Sequence, residues 1–419
     1  EFNMEYNELK KIFYASGDSN LEHEYQTRLE SFSTFLTDIY INPIREQNQY
    51  KSIRYPLFIC MTINVIKKME DILMNTIKIS QLSFSQPPVA MQSYLNKLLI
   101  NELQSTNEKE NVRSTKVELA EILNNTKGKT NKKFQGLVNQ YQLLGKQEIE
   151  VKEVADFRKV YDLLLSNDIE AKDQSDGTRF RTTGVGVFDT SKGKWLHRNE
   201  FGEIEINDFL NKLLNFWSDE NIPYLIRIAA SHYMFEYLHP FYDGNGRLGR
   251  YLVAKMLNDK LDQVTALTFS YTVNRNKSKY DKAFEAASDY FNKGELTRFV
   301  ETMFDLIIEG QRSALEDMES NVQMLQRLNR GLEQLNLSKE ESQFISVLIQ
   351  DKIFGSALSR ISLPNLTEVL ELSRHKVNKM VEKHNDKLNL LKQRPAVYEL
   401  KDEFIEGLLS FNSETEIEK

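Results

Sequence analysis

Twelve consecutive residues, His239-Pro-Phe-Tyr-Asp-Gly-Asn-Gly-Arg-Leu-Gly-Arg250, concentrate the chemistry of this 419-residue chain. They join an imidazole, a carboxylate, a glycine-asparagine-glycine turn and two guanidinium groups. The turn Gly244-Asn245-Gly246 leaves backbone N–H groups free to converge on one point, with no side-chain bulk in the way. If a helix starts near Arg247, those donors gain its positive end and make an anion site. Arg247 and Arg250 stand three apart and share a helix face, which suits two successive phosphates. Asp243 lies just ahead of the turn, where a carboxylate carries Mg²⁺ shared with phosphate oxygens. His239 is the neighbouring group that can take a proton near neutral pH. The inferred reaction is attack of a hydroxyl on a Mg²⁺-bound nucleotide phosphate, with His239 as base. A calcium loop fails on spacing, and a Walker loop fails because no Gly-Lys-Ser/Thr follows. His232, seven residues upstream, reads as a satisfied core histidine rather than a metal partner.

The elements that must position this stretch are mostly helical. Tyr224 to Leu238 is apolar almost all round, as the central helix of a bundle would be, and a second such helix is expected from Leu248 to Leu257. Trp217, Leu214, Leu213 and Phe209 form a stripe on a preceding helix, and Pro223 sits where a helix can start. Residues 4–110 read as helices: Leu29, Phe32, Phe35, Leu36, Ile39 and Tyr40 recur at three- and four-residue spacing, Phe58 to Ile79 repeats the pattern, and a further helix runs from Val89 to Leu103. Two or three helices are expected over 115–170, broken by the polar stretch Asn124 to Lys132. Around Phe180 the period changes to alternation, and Phe180–Phe188 with Lys194–His197 reads as a hairpin across Asp189-Thr-Ser-Lys-Gly193. A long charged helix spans 311–335. Beyond it, residues 351–401 hold ten Lys/Arg against six Asp/Glu. There a helix from Pro364, a short turn, a helix from Ser373 to Glu382 and an extended pair (388–391 and 396–400) read as a winged helix-turn-helix.

Composition sets the frame. Only 17 Gly and 8 Pro favour long helices over many short strands, and a net charge of -7 argues against the whole chain coating nucleic acid. Cys60, the lone cysteine, lies in the apolar run Pro-Leu-Phe-Ile-Cys-Met and reads as a buried structural thiol. The longest apolar runs fall short of a bilayer span and no basic-then-apolar signal opens the chain, so a cytoplasmic location without membrane contact is the expectation.

The stretch His239–Arg250 resembles the Fic family signature at every defining position. The resemblance extends over roughly residues 90–310, through the hairpin and on to Phe269-Ser-Tyr-Thr-Val-Asn-Arg275 and Tyr280. It implies a mainly α fold: a Fic-type helical core (115–310) with a β-hairpin flap, an N-terminal helical region (1–114), a connecting helix (311–335) and a C-terminal winged helix domain (336–419). It implies transfer of AMP from ATP to a Tyr, Thr or Ser hydroxyl of a target protein or of the chain itself. His239 would be the base, Phe241 the anchor of the loop, and Asp243 the Mg²⁺ holder. Gly244, Asn245 and Gly246 would surround the inner phosphates, while Arg247 and Arg250 would hold the outer ones. The flap, Thr182, Thr183, Gly184, Val185, Gly186 and Val187, would register a target segment by strand addition.

Family members often carry an inhibitory Ser/Thr-x-x-x-Glu-Gly/Asn motif. Of the four Glu-Gly or Glu-Asn pairs here, only Glu110-Asn111 has a hydroxyl residue, Thr106, four positions before the glutamate. Glu110 would then pair with Arg250 and take an outer phosphate's place. Some relatives use the same glutamate to remove AMP, and some transfer phosphate or phosphocholine, so the direction and the group stay open, as does a homodimer. An alternative reading is a DNA-binding regulator whose nucleotide site senses. In it Arg374, Lys376 and Lys379 meet phosphates or base edges.

Overall fold

The computed structural model describes residues 6–45, 48–124, 133–146, 150–189 and 193–411. Two compact units are present, each assembled from separated stretches: residues 1–76, 105–113 and 129–311 in the first, and 77–104, 114–128 and 312–419 in the second.

The first unit is built around two consecutive helices, Tyr224–Leu238 and Asn245–Lys260. In the first of these, all but three residues are buried, as expected of a helix apolar on every side. The helices Glu203–Ser218 and Val154–Leu165 pack around the pair, and Phe157 stacks on Phe235 with ring centroids 5.9 Å apart. A hairpin pairs Val185–Asp189 with Lys194–Asn199, shifting register between Val187 and Phe188. It is shorter than the alternation suggested. Residues 180–184 form a loop before the strand, because Arg181 turns inward and Thr182 bonds to Asp176.

The N-terminal region departs from the helical expectation. Thr34–Ile41 is a strand, antiparallel to Tyr55–Cys60 with Thr34 opposite Cys60 and Ile41 opposite Tyr55. Phe32, Leu36 and Tyr40, four apart, are exposed, whereas Ile39 and Ile41, two apart, are fully buried. The same residues fit both periods, and pairing with the buried apolar run before Cys60 decides for the strand. The expected helix from Phe58 accordingly starts at Ile63 and runs to Ser85. Cys60 is buried against Thr34, and burial pushes its thiol up, as a structural cysteine requires. The helix expected from Val89 starts at Pro88 and continues through the polar run to Lys109. Most of the polar break expected at 124–132 lies outside the described residues.

In the second unit, the helix that starts at Thr297 ends at Glu333. Lys339–Phe354 follows, opened by a reciprocal cap between Ser338 and Glu341. Leu363–Val369 and Arg374–Lys383 are two helices joined by a short turn. A two-stranded ribbon, Leu388–Gln393 with Ala396–Leu400, comes next. The chain then forms a last helix, Asp402–Ser410, that periodicity had not suggested. Among the described residues, no helix is long and apolar enough to cross a membrane.

Candidate active site

His239 closes the central helix in the left-handed conformation, φ 52°, with its N–H on the Phe235 carbonyl at 3.0 Å. A non-glycine residue rarely adopts this backbone, so its surroundings must hold it there. Arg181 does so. Fully buried, it donates to the carbonyls of His239 (2.6 Å), Leu238 (2.9 Å), Thr183 (2.6 Å) and Phe201. A guanidinium thus answers the negative end of the helix and ties the base of the flap to the His239 backbone. The ring itself is oriented by Nδ1, which lies 2.8 Å from the Glu236 carbonyl. A carbonyl only accepts, so Nδ1 carries the hydrogen and Nε2 carries the lone pair. Burial pushes the imidazole below its ordinary value, which keeps it neutral and able to act as a base near pH 7.

The turn after His239 is anchored from both sides. Phe241 is fully buried, stacked on Tyr161 at 3.7 Å between centroids and edge-on to Phe180. The Asn245 amide grips the same residue's backbone, accepting from Phe241 N–H at 3.0 Å and donating to its carbonyl at 2.9 Å. Asn245 therefore serves the turn with its side chain, which leaves its backbone N–H for the anion site expected of the triplet. Gly244 has φ 82°, a conformation glycine supplies without strain, and caps the helix Asn245–Lys260.

The two arginines of that helix have different surroundings. The Arg247 guanidinium is buried 3.6 Å from both Asp168 and Asp243, and its Nε and Nη1 make no hydrogen bond. Arg250 is gripped at every nitrogen: Nε donates to Thr106 Oγ1 and Nη2 to Thr106 O, each at 3.0 Å, and Nη1 pairs with Glu110 Oε1 at 2.9 Å. The glutamate is delivered by the end of the helix Pro88–Lys109. Val112 N–H returns to the Asn107 carbonyl at 2.9 Å across Asn111 at φ 57°, a left-handed helix stop that glycine or asparagine tolerates best. Burial alone would push the Glu110 carboxyl up, but Arg250, with Lys109, holds it below the usual carboxylate range. A Cβ added at Gly246 would overlap the Glu110 carboxyl. That carboxylate therefore sits on the mouth of the glycine turn, where an anion would otherwise lie.

These groups share a cavity of about 350 Å³ whose lining includes Glu110, Glu236, His239, Arg250, Tyr280 and Phe284. A larger hollow of about 920 Å³ lies against Arg28, Cys60 and Arg298, but both arginines are already ion-paired with glutamates and no signature residue lines it. His232 is a buried core histidine bonded to Tyr280 at 2.5 Å. Among the described residues, no cluster of three His, Cys, Asp or Glu could hold a metal by itself. The Asp243 side chain is 44% exposed, with Oδ1 accepting from Gly244 N–H. One reachable carboxylate fits Mg²⁺, which commonly takes one or two carboxylates with waters and phosphate oxygens.

Of the flap residues, Val185, Gly186 and Val187 lie in the strand. Thr182 is held by Asp176, and Thr183 by Tyr242 at 2.8 Å. Gly184 passes close to Asn199, where a Cβ would lie 3.0 Å from that residue's carbonyl. In the second unit, Arg374, Lys376 and Lys379 are exposed on one helix, and Lys376 is paired with Glu340 at 2.9 Å. Sequence reasoning missed Arg181, Asp168 and Glu236. No motif marks them. The one available signal was a cation inside an otherwise strand-like run at Arg181.

The Fic/DOC family model matches residues 154–257. This stretch is a Fic/DOC family domain. It begins with the helix Val154–Leu165 and ends within the helix that carries Arg247 and Arg250. Proteins with this domain generally use ATP and transfer AMP to proteins. Among solved structures, the chain is similar to a Fic family protein from Desulfovibrio desulfuricans, at 17% identity and a TM-score of 0.50, covering 82% of this chain and 97% of that one. It is also similar to Fic-1 from C. elegans (15% identity, TM-score 0.46, 74% and 81% covered). A Fic domain containing signaling protein from Bacteroides thetaiotaomicron matches with a TM-score of 0.39 at 15% identity, over 61% of this chain and 97% of that one. The first of these likenesses supports a Fic-type fold.

Proposed function

We propose that the chain is an ATP-dependent protein AMP transferase restrained by its own Glu110. The observation that carries this reading is the Glu110 carboxylate on Arg250, set against Gly246 and in one cavity with His239. In the reaction, His239 Nε2 takes the proton of a target hydroxyl. The freed oxygen bonds to the α-phosphorus of ATP, the bond to the bridging oxygen breaks, and pyrophosphate leaves. Backbone N–H groups at the start of the helix Asn245–Lys260 receive the inner phosphates, and Arg247 offers Nε and Nη1, which make no hydrogen bond among the described residues. Asp243 would hold Mg²⁺, which when bound neutralises phosphate charge.

Restraint follows from competition. With Glu110 on Arg250, an outer phosphate meets a carboxylate where it needs a guanidinium, and the nucleotide is held out of line. Moving or removing Glu110 frees Arg250. The flap strand Val185–Val187 would then register an extended target segment through its unpaired edge. In this reading the four parts at 1–114, 115–310, 311–335 and 336–419 act as inhibitory region, catalytic core, connector and winged helix, in a cytoplasmic setting.

The experiment is mass spectrometry of a cell lysate, and of the chain itself, after incubation of Glu110→Gly with ATP and Mg²⁺. AMP on a Tyr, Thr or Ser hydroxyl is the expected product. Phosphate, phosphocholine or no added group would contradict the reading. A second reading, DNA binding by the C-terminal part, is favoured by the exposed Arg374, Lys376 and Lys379 on a helix followed by a ribbon. Its test is retention of DNA carrying the chain's own promoter, which must weaken steeply with salt.

A further inference from the structure

Behind the imidazole stands a second carboxyl that the reaction above leaves unused. Glu236 lies one helical turn before His239. Its carbonyl receives Nδ1–H, and its Oε2 lies 3.9 Å from the same nitrogen. Its Oε1 is buried and makes no hydrogen bond. A Cβ at Gly249 would overlap Oε1, so the motif helix clamps the carboxyl in place. A buried carboxyl oxygen without a hydrogen bond carries a desolvation cost that a leucine would avoid. The site must therefore gain something from it.

The titratable and charged groups facing Glu236 come from three other elements and from its own. Arg250 stands on the motif helix, Lys109 and Glu110 at the end of the helix Pro88–Lys109, Tyr280 on the helix Lys277–Ser288, and His239 on its own. Burial pushes the carboxyl up to about 8, Glu110 adds to the rise, and Arg250 and Lys109 oppose it.

We propose that Glu236 is the positioning residue of His239, fixing the ring through its carbonyl and stabilising the imidazolium through its carboxylate. The inference rests on the AMP-transfer reading for its place in the reaction. When the target hydroxyl proton moves to Nε2, the ring becomes a cation with Nδ1–H still on the Glu236 carbonyl. An ionised Glu236 makes that cation cheaper to form, and a protonated one withdraws that negative charge. The rate therefore climbs in two limbs as pH rises: one as His239 loses its proton, and a second as Glu236 does.

Two measurements on the full chain test this. The first is the pH–rate profile for AMP transfer with Glu110→Gly, alone and combined with Glu236→Gln or Glu236→Asp. The second limb is expected with Glu236 and with Asp. With Gln it should vanish, leaving kcat at alkaline pH roughly three- to tenfold lower and KM for ATP unchanged. A purely structural carboxyl would lower the rate by the same factor at every pH, and that result would overturn the proposal. The second is a nitrogen-15 NMR titration of His239 in the nucleotide-free protein, assigned with His239→Ala. A ring-shift step near pH 8 that disappears in Glu236→Gln supports the coupling even if no variant transfers AMP, in which case only the functional reading fails. Identical titrations in the two proteins overturn the coupling even if transfer is robust.

Discussion

The stretch His239–Arg250 and the helix Arg374–Lys383 both carry clustered cations, and they differ in what those cations cost. Arg247 and Arg250 are each 1% exposed, one with unsatisfied donors and the other satisfied by Thr106 and Glu110. Arg374, Lys376 and Lys379 stand in solvent, and Lys376 already meets Glu340. Burying a charge is expensive unless it is paired, and Arg247, 3.6 Å from both Asp168 and Asp243 with no hydrogen bond at Nε or Nη1, keeps donors that an anion could use. An exposed lysine costs almost nothing and points nowhere by itself. Burial is what makes one cluster informative and leaves the other with two readings.

Substitution separates the two clusters, and the largest effect is expected at His239. In the Glu110→Gly background, His239→Ala should lower the AMP-transfer rate roughly 10²- to 10⁴-fold, the usual worth of a general base, while ATP binding measured by calorimetry persists. Loss of binding together with rate would mean that the imidazole supports the turn instead. Phe241→Ala should cost about 3–5 kcal/mol in chemical denaturation, because a fully buried ring stacked on Tyr161 leaves a cavity. A cost below 1 kcal/mol would mean the loop has another anchor.

Glu110→Gly should raise transfer roughly 5- to 150-fold, the span of a typical coupling energy between two competing states. Thr106→Val removes one hydrogen bond from Arg250 and keeps the ion pair, so a rise of only a few-fold is expected. Equal activation by both variants would place the restraint in the helix as a whole. The restraint should also persist through the neutral range. Glu110's folded pKa lies below its unfolded one, so the pair with Arg250 contributes at pH above the ordinary carboxylate value. It is lost only as pH falls through the lowered one. A ratio of wild-type to Glu110→Gly rate that rises between pH 6 and 8 would contradict this. The smallest effect is expected from replacing Arg374 and Lys376 by alanine together. AMP transfer should not change, while any DNA retention should weaken and its dependence on salt should flatten.

The signature was legible because its chemistry-bearing residues are contiguous, and the Thr106–Asn111 motif because only one glutamate met the spacing. Physical detail added two roles within them. Asn245 turned out to clamp Phe241, and Asn111 to supply the left-handed stop that aims Glu110. Arg181 and Asp168 were not legible, since the tertiary fold alone brings them to His239 and Arg247, and Glu236, one turn before His239, lies outside the signature. Thr34–Ile41 was misread as helix because its apolar residues fit both periods, and the strand that decides the matter lies fourteen residues farther on.

The claim that one carboxylate holds a competent site in check is tested most directly by counting AMP. Wild type, Glu110→Gly and Glu110→Gly with His239→Ala are each incubated with ATP labelled in the α-phosphate and Mg²⁺, and label on protein is followed over time. Slow labelling, fast labelling and almost none are expected, in that order. Equal labelling by the first two, or undiminished labelling by the third, would contradict it.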